Sequence, residues 1–201
     1  MNTPNKLTVA RIIATPIFMA TMLIDFPYHY TVALFLFIAA SLTDMIDGKM
    51  ARKYNLVTDF GKFLDPLADK MLTTAAFLGF MYVYGVLDGA ENTTYGIQMT
   101  VILFIVLFRE FMVSSLRLVT VSSGGKVVAA NIWGKLKTVS QMVGIVFAIL
   151  AYALVVDFGL ISFKPVFDII IMSIFWISAV LCIISGLIYL MASKEYIDPS
   201  K

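Results

Sequence analysis

Residues 33–52 read ALFLFIAASLTDMIDGKMAR, an apolar run that continues without a break into two aspartates, Asp44 and Asp47. A helix needs about 20 mostly apolar residues to cross the hydrocarbon core of a bilayer, and this segment has that length. Acidic residues inside such a span are costly and usually carry a function. The stretch therefore predicts a membrane-spanning helix with functional carboxylates toward one end.

The rest of the chain has the same apolar character. Of 201 residues, 60% are hydrophobic and only 14% are charged, which is too little charge to cover a water-soluble domain of this length. No repeat or Pro/Ser-rich linker divides the sequence, so we expect a single membrane domain over residues 1–201. We expect an all-α integral membrane protein with six transmembrane helices, at about 7–26, 30–53, 59–86, 97–121, 131–156 and 166–192.

The first apolar run also resembles a signal peptide, since Lys6 and Arg11 precede it. No small-residue cleavage site follows Asp25 and Phe26, which favours a spanning helix.

Positive charge is unevenly distributed between the two sides of these spans. Most of the 15 lysines and arginines fall in four segments, 1–11, 49–62, 117–137 and 193–201. In the turns on the other side, Lys164 is the only lysine or arginine. Because cytoplasmic loops carry the excess of lysine and arginine, we expect both termini in the cytoplasm.

Four aspartates recur at helical spacing on the second and third spans. Asp44 and Asp47 are three residues apart, and Asp65 and Asp69 are four apart, so each pair shares one helix face. A short turn joins the two spans, which therefore run antiparallel and bring both acidic faces to the same end. Asp44 lies about 21 Å along its helix, inside the inner half of the bilayer.

Four carboxylates in a low-dielectric site repel one another unless cations neutralise them. Oxygen ligands suit Mg²⁺ or Mn²⁺, and two such ions can hold a phosphoryl group during displacement. Two other interpretations remain. The acids could form interface salt bridges, or they could line the cation pathway of a transporter. The basic residues available for such bridges are Lys49, Arg52, Lys62 and Lys70.

Small residues accompany the acidic faces. Gly48, Ala51 and Gly61 would let a bulky phosphate ligand approach the backbone. Arg52 stands beside them and can make two parallel hydrogen bonds to a phosphate.

The whole pattern is Asp44-x2-Asp47-Gly48-x2-Ala51-Arg52-x8-Gly61-x3-Asp65-x3-Asp69. It resembles the signature of the CDP-alcohol phosphotransferase family and matches it at every fixed position. The six expected spans also resemble that family's architecture. The resemblance implies a homodimeric enzyme of the cell membrane that transfers the phosphatidyl group of CDP-diacylglycerol to an alcohol and releases CMP. The resemblance strongly favours this enzyme over the transporter interpretation.

The resemblance also implies roles for individual residues. Asp44, Asp47 and Asp65 would hold one divalent cation, and Asp44, Asp65 and Asp69 a second, with Mg²⁺ and Mn²⁺ both possible. Asp69 would be the general base that takes the proton of the acceptor hydroxyl. Attack by an enzyme carboxylate, giving a covalent intermediate, is the alternative. The residues implied for binding CDP are Gly48, Ala51, Arg52 and Gly61.

Secondary motifs bear on the acceptor. The segments 5–11, 109–117 and 134–141 resemble members of the family that use glycerol 3-phosphate. That acceptor is a small dianion and needs a basic pocket. Arg109 lies too deep in its span to be an ordinary surface charge, which favours a functional role. Anchoring to anionic lipids is the alternative for the more peripheral residues, and serine or inositol phosphate are alternative acceptors. The residues expected to bind the acceptor phosphate are Arg109, Arg117, Lys135 and Lys137.

Pro66 falls inside the third span and cannot donate to the carbonyl of Lys62. We expect a bend or a loosened turn there.

Overall fold

The computed structural model describes residues 2–54, 58–87, 93–122 and 132–194, and its described side chains exclude those of residues 51–53, 59, 62, 93, 121 and 122. Within this part, the chain is all-helical and has no β-strand. The six helices are α1 (Thr3–Leu23), α2 (His29–Lys53), α3 (Asp59–Tyr82), α4 (Thr93–Ser122), α5 (Ile132–Tyr152) and α6 (Lys164–Ala192). Each contains a segment long and apolar enough to cross a membrane, which confirms the predicted class and the six spans.

Short irregular turns extend two of the helices. A π-helical turn, Val83–Leu87, continues α3, and a second one, Ala153–Asp157, continues α5. A 3₁₀ turn, Ile161–Phe163, leads into α6. These turns lie at the end of the bundle opposite the aspartates.

The start of α1 differs from the expected boundary. The helix begins at Thr3 rather than near Leu7, because Asn2 caps it: the Asn2 side chain accepts a hydrogen bond from the backbone N–H of Asn5 at 3.1 Å. Pro4 occupies the first turn, where its missing N–H costs nothing. The apolar run alone places the start one turn too late.

The position of α1 decides the geometry of the site. This helix packs extensively against both α2 and α3, whereas α2 and α3 contact each other only slightly. Elsewhere, α5 packs along α6, and α4 also packs on α6. The two aspartate helices therefore approach each other with α1 beside both, rather than face to face.

Small residues allow these helices to pack closely. Gly79 lies against Met22 of α1, and Gly186 lies against Met112 and Arg109 of α4. A Cβ atom at Gly79 would come within 3.1 Å of Met22. Close packing at small residues is the behaviour expected of helices in a membrane.

A buried polar cluster ties the helices together at the end remote from the aspartates. Asp168 of α6 is buried, accepts a hydrogen bond from the Tyr84 hydroxyl at 2.9 Å and pairs with Lys164 Nζ at 3.0 Å. At the same end, Asp157 Oδ2 accepts from the Thr31 backbone N–H and hydroxyl, each at 2.7 Å. These contacts join α2, α3, α5 and α6.

Pro66 does not interrupt α3, which continues from Asp59 to Tyr82. The bend expected at this position stays a prediction.

Candidate active site

The two aspartates of α2 lie on the face turned toward α1. Asp47 is buried with 4% of its surface exposed, whereas Asp44 is only partly covered. The charge of Asp47 interacts with those of Asp44 and Asp65, so carboxylates from α2 and α3 share one site. This arrangement agrees with the expectation that both acidic faces meet at the same end of the bundle.

Arg11 of α1 enters this site and pairs with both aspartates of α2. Its Nη1 donates to Asp44 Oδ1, and its Nη2 lies 2.5 Å from Asp47 Oδ2. Only 2% of Arg11 is exposed. Sequence analysis counted Arg11 among the charges of the cytoplasmic end, whereas the structure places it inside the aspartate cluster.

Thr8, one turn before Arg11, bridges the two aspartate helices. Its Oγ1 lies 2.8 Å from Asp65 Oδ1 and 3.4 Å from Asp47 Oδ2. Carboxylates only accept, and a hydroxyl donates one proton, so the shorter distance identifies Asp65 as the acceptor. Thr8 thus fixes Asp65 of α3 beside Asp47 of α2.

Asn5 completes the polar face of α1. Its Nδ2 donates to Thr58 Oγ1 at 2.9 Å, and that oxygen also accepts the Gly61 backbone N–H at 3.0 Å, capping the start of α3. Gly61 is buried, and a Cβ atom there would lie 2.9 Å from Asn5 Oδ1. Glycine at this position therefore makes room for the Asn5 side chain between α1 and α3, and any larger residue would displace it.

Asp69 lies one turn beyond Asp65 on α3 and is exposed. Its charge interacts with that of Asp44 on one side and with those of Lys137 and Glu110 on the other. Asp69 also lines a cavity of about 820 Å³. This residue therefore stands between the aspartate cluster and the cavity.

The cavity is bounded by α3, α4, α5 and α6 and is strongly basic. Five cationic side chains line it, against two carboxylates, those of Asp69 and Glu110. All four residues expected to bind an acceptor phosphate are among the cations. The five are Lys70, Arg109, Arg117, Lys135 and Lys137.

Glu110 holds two of these cations. Its Oε1 lies 2.5 Å from Lys137 Nζ and 3.0 Å from Arg109 Nη1. Arg109 also donates through Nη2 to Ser185 Oγ of α6 at 2.7 Å. Lys137 is buried, so its ammonium group is held in place in the cavity wall.

The remaining cations are held less tightly. Arg117 Nε lies 3.3 Å from the Tyr189 hydroxyl, and its guanidinium stands 5.7 Å from the centre of that ring. Lys70 donates to Ser114 Oγ of α4. Lys135 lines the cavity and is exposed.

Comparisons with known proteins identify the family of this chain. The model of the CDP-alcohol phosphatidyltransferase family matches residues 1–184. The chain belongs to this family.

Its relatives carry a more specific name. CDP-diacylglycerol–glycerol-3-phosphate 3-phosphatidyltransferase of Bacillus subtilis is 38% identical over 99% of this chain and 98% of its own length. The protein of that name from Rickettsia bellii is 37% identical over 97% of both chains. One from Pseudomonas fluorescens is 32% identical over 73% of this chain and 71% of its own.

CDP-alcohol phosphatidyltransferases generally depend on divalent cations. Among the described residues, no group of three or more His, Cys, Asp or Glu side chains is arranged as a metal site. The chemistry of the donor set nevertheless fits divalent cations, because Asp44, Asp47 and Asp65 offer only hard oxygen ligands and each contacts a side chain of α1. In the structure, the positive charge between Asp44 and Asp47 is that of Arg11.

The structure describes the surroundings of only two of the four residues expected to bind CDP, Gly48 and Gly61. Gly48 is partly buried next to Asp47, and Gly61 is buried against α1. Ala51 and Arg52 belong to the last turns of α2, and their side chains lie outside the described part.

Sequence analysis missed several residues of the site. Asn5, Thr8 and Arg11 are spaced three apart, so they form a polar stripe on an otherwise apolar helix, and that spacing was available as a signal. Lys70 was considered only as a salt-bridge partner. Ser185 and Tyr189, which hold Arg109 and Arg117, are spaced four apart on α6, but nothing in their sequence context marks them as functional.

Proposed function

We propose that this protein transfers the phosphatidyl group of CDP-diacylglycerol to sn-glycerol 3-phosphate, giving phosphatidylglycerol phosphate and CMP. The observation that carries the proposal is that Asp69 and five cationic side chains line one cavity beside the aspartate cluster. The names of the full-length relatives support the same reaction.

Two divalent cations, Mg²⁺ or Mn²⁺, would be held by the aspartates. Asp44, Asp47 and Asp65 would bind one, and Asp44, Asp65 and Asp69 the other. Bound there, such ions would neutralise the carboxylates and the negative charge of the transferring phosphoryl group.

Asp69 would act on the acceptor. Its exposed carboxylate faces the cavity, where it accepts the proton of a glycerol 3-phosphate hydroxyl. That oxygen forms a bond to the β-phosphorus of CDP-diacylglycerol, and CMP leaves with the electron pair of the broken phosphoanhydride bond. General base catalysis of this kind typically contributes about 10²–10⁴-fold to the rate.

The basic lining supplies acceptor specificity. Glycerol 3-phosphate brings a phosphate dianion into the cavity, and Arg109 and Lys137 are already oriented there by Glu110. Serine carries no phosphate and would make no use of this excess of positive charge. Arg117 and Lys135 extend the phosphate site toward the helix ends.

The donor would bind along α2 and α3. Its cytidine diphosphate lies against Gly48, Ala51, Arg52 and Gly61, and its acyl chains enter sideways from the inner leaflet. The distribution of lysine and arginine supports cytoplasmic termini and an active site that faces the cytoplasm. We further propose that the protein is a homodimer of the cell membrane.

Detergent-purified protein tests the proposal. Supplied with CDP-diacylglycerol, Mg²⁺ and labelled glycerol 3-phosphate, it should release CMP and form labelled lipid in equal amounts, and EDTA should abolish both. Parallel assays with serine and inositol phosphate test the acceptor. CMP release that requires one of these would overturn the assignment to glycerol 3-phosphate, and folded protein that releases no CMP with any acceptor would favour the transporter alternative.

A further inference from the structure

Arg11 is the most completely buried cation of the aspartate site. Its side chain is 1% exposed and reaches two carboxylates, Asp44 and Asp47. The guanidinium keeps its positive charge in any protein environment. This single positive charge is therefore shared by two carboxylates and offsets only one of their two negative charges.

The contacts of Arg11 leave one of its donors unused. Nη1 and Nη2 each reach a carboxylate, but the buried Nε has no hydrogen-bond partner in the described part of the protein. A buried donor without a partner costs stability. The guanidinium is thus held mainly by attraction to the carboxylates, and its other polar contacts are incomplete.

The oxygens that bind Arg11 are also needed by the proposed cations. Asp44 and Asp47 are both ligands in the cation arrangement proposed above, and Asp44 would serve both ions. A divalent ion and a guanidinium cannot occupy the space between the same two carboxylates. Binding of one therefore opposes binding of the other.

We propose that Arg11 is an internal counter-ion of the aspartate site, which occupies the cation position in the cation-free protein and is displaced when divalent cations bind. The inference rests on the proposed function, because it takes the aspartates to be the cation ligands. Arg11 is accordingly a positioning residue, since it holds the carboxylates together between cycles of cation binding.

Removal of the Arg11 charge should then raise the affinity for divalent cations and lower the stability of the protein without them. In full-length protein carrying Arg11→Met, we expect the thermal midpoint in EDTA to fall by at least about 5 °C, because a buried pair has lost one partner. The affinity for Mn²⁺, measured by electron paramagnetic resonance of the free ion, should tighten by on the order of tenfold, because the competing state is gone.

Two further variants make the experiment specific. Lys6→Met removes the same charge from an exposed position on the same helix and should leave both the midpoint and the Mn²⁺ affinity close to wild type. Arg11→Lys keeps the charge but replaces the planar fork with a point donor. Its Mn²⁺ affinity should fall between wild type and Arg11→Met, and it decides the question if the methionine variant fails to fold.

The outcomes separate this inference from the proposed function. Wild-type protein that binds Mn²⁺ and releases CMP, together with Arg11 variants that bind Mn²⁺ equally or more weakly, would overturn the role of Arg11 alone. Tightening of the same size in Lys6→Met would also overturn it, since the effect would then be one of net charge. Folded wild-type protein that neither binds Mn²⁺ nor releases CMP would overturn the proposed function itself.

Discussion

Glu110 Oε1 lies 2.5 Å from Lys137 Nζ, and this ion pair joins α4 to α5 in the wall of the basic cavity. The same oxygen accepts a hydrogen bond from Arg109 Nη1 at 3.0 Å. One carboxylate therefore orients two cations that would otherwise repel each other. In this arrangement, Glu110 orients two of the residues that we propose to bind the acceptor phosphate.

Replacing Glu110 with glutamine should weaken use of the acceptor. The amide keeps the size of the side chain but loses the charge that holds Arg109 and Lys137. A hydrogen bond to a charged group contributes about 1.5–3 kcal/mol, so the KM for glycerol 3-phosphate should rise at least about tenfold. Steady-state kinetics with each substrate varied in turn would measure this. A general loss of structure would instead change the KM for CDP-diacylglycerol as well.

Asp69→Asn should abolish turnover and leave the fold intact. The side chain is exposed to the cavity, so the substitution creates no packing defect. It removes the proposed base, and the rate of CMP release should fall by about 10²–10⁴-fold. A variant with an unchanged thermal midpoint and near-normal turnover would exclude Asp69 as the base.

Arg109→Ala should affect the acceptor far more than the donor. Arg109 lines the cavity and is held by Glu110 and Ser185, whereas the proposed donor site lies along α2 and α3. We expect kcat/KM for glycerol 3-phosphate to fall by on the order of 100-fold, with CDP-diacylglycerol binding changed little. Ser185→Ala is the matched control, since it removes one contact of Arg109 and should cost less than tenfold. An unchanged KM and kcat for the acceptor in Arg109→Ala would contradict the assignment of this pocket.

Helical periodicity accounts for much of what the sequence predicts correctly. Apolar length identifies the six spans, and helical spacing places Asp44 with Asp47 and Asp65 with Asp69 on shared helix faces. The basic residues of α4 and α5 do line one cavity with Asp69. These features follow from properties of single helices.

The position of α1 could not be predicted in the same way. Spacing tells which residues share a face of a helix, but it does not tell which neighbouring helix that face meets. From the sequence, Thr8 and Arg11 therefore belong only to a basic N-terminal segment. The structure shows that they contact aspartates of α2 and α3. The contact between Gly61 and Asn5 could not be predicted for the same reason, because Asn5 lies 56 positions earlier in the chain.

The buried acid at the other end of the bundle should behave differently from the aspartates of the site. Asp168 is an intramembrane carboxylate, but Lys164 and Tyr84 satisfy both of its oxygens. Its removal breaks the ion pair with Lys164, and breaking a buried pair costs about 3–5 kcal/mol. Asp168→Ala should therefore lower the thermal midpoint by about 5–10 °C.

At a temperature where the variant is folded, its KM values for both substrates should stay within about twofold of wild type, because the cluster lies far from the basic cavity. Tyr84→Phe, which removes one hydrogen bond and keeps the ion pair, should lower the midpoint less. A variant of Asp168 that kept its midpoint but lost turnover would instead assign this acid a role in the reaction.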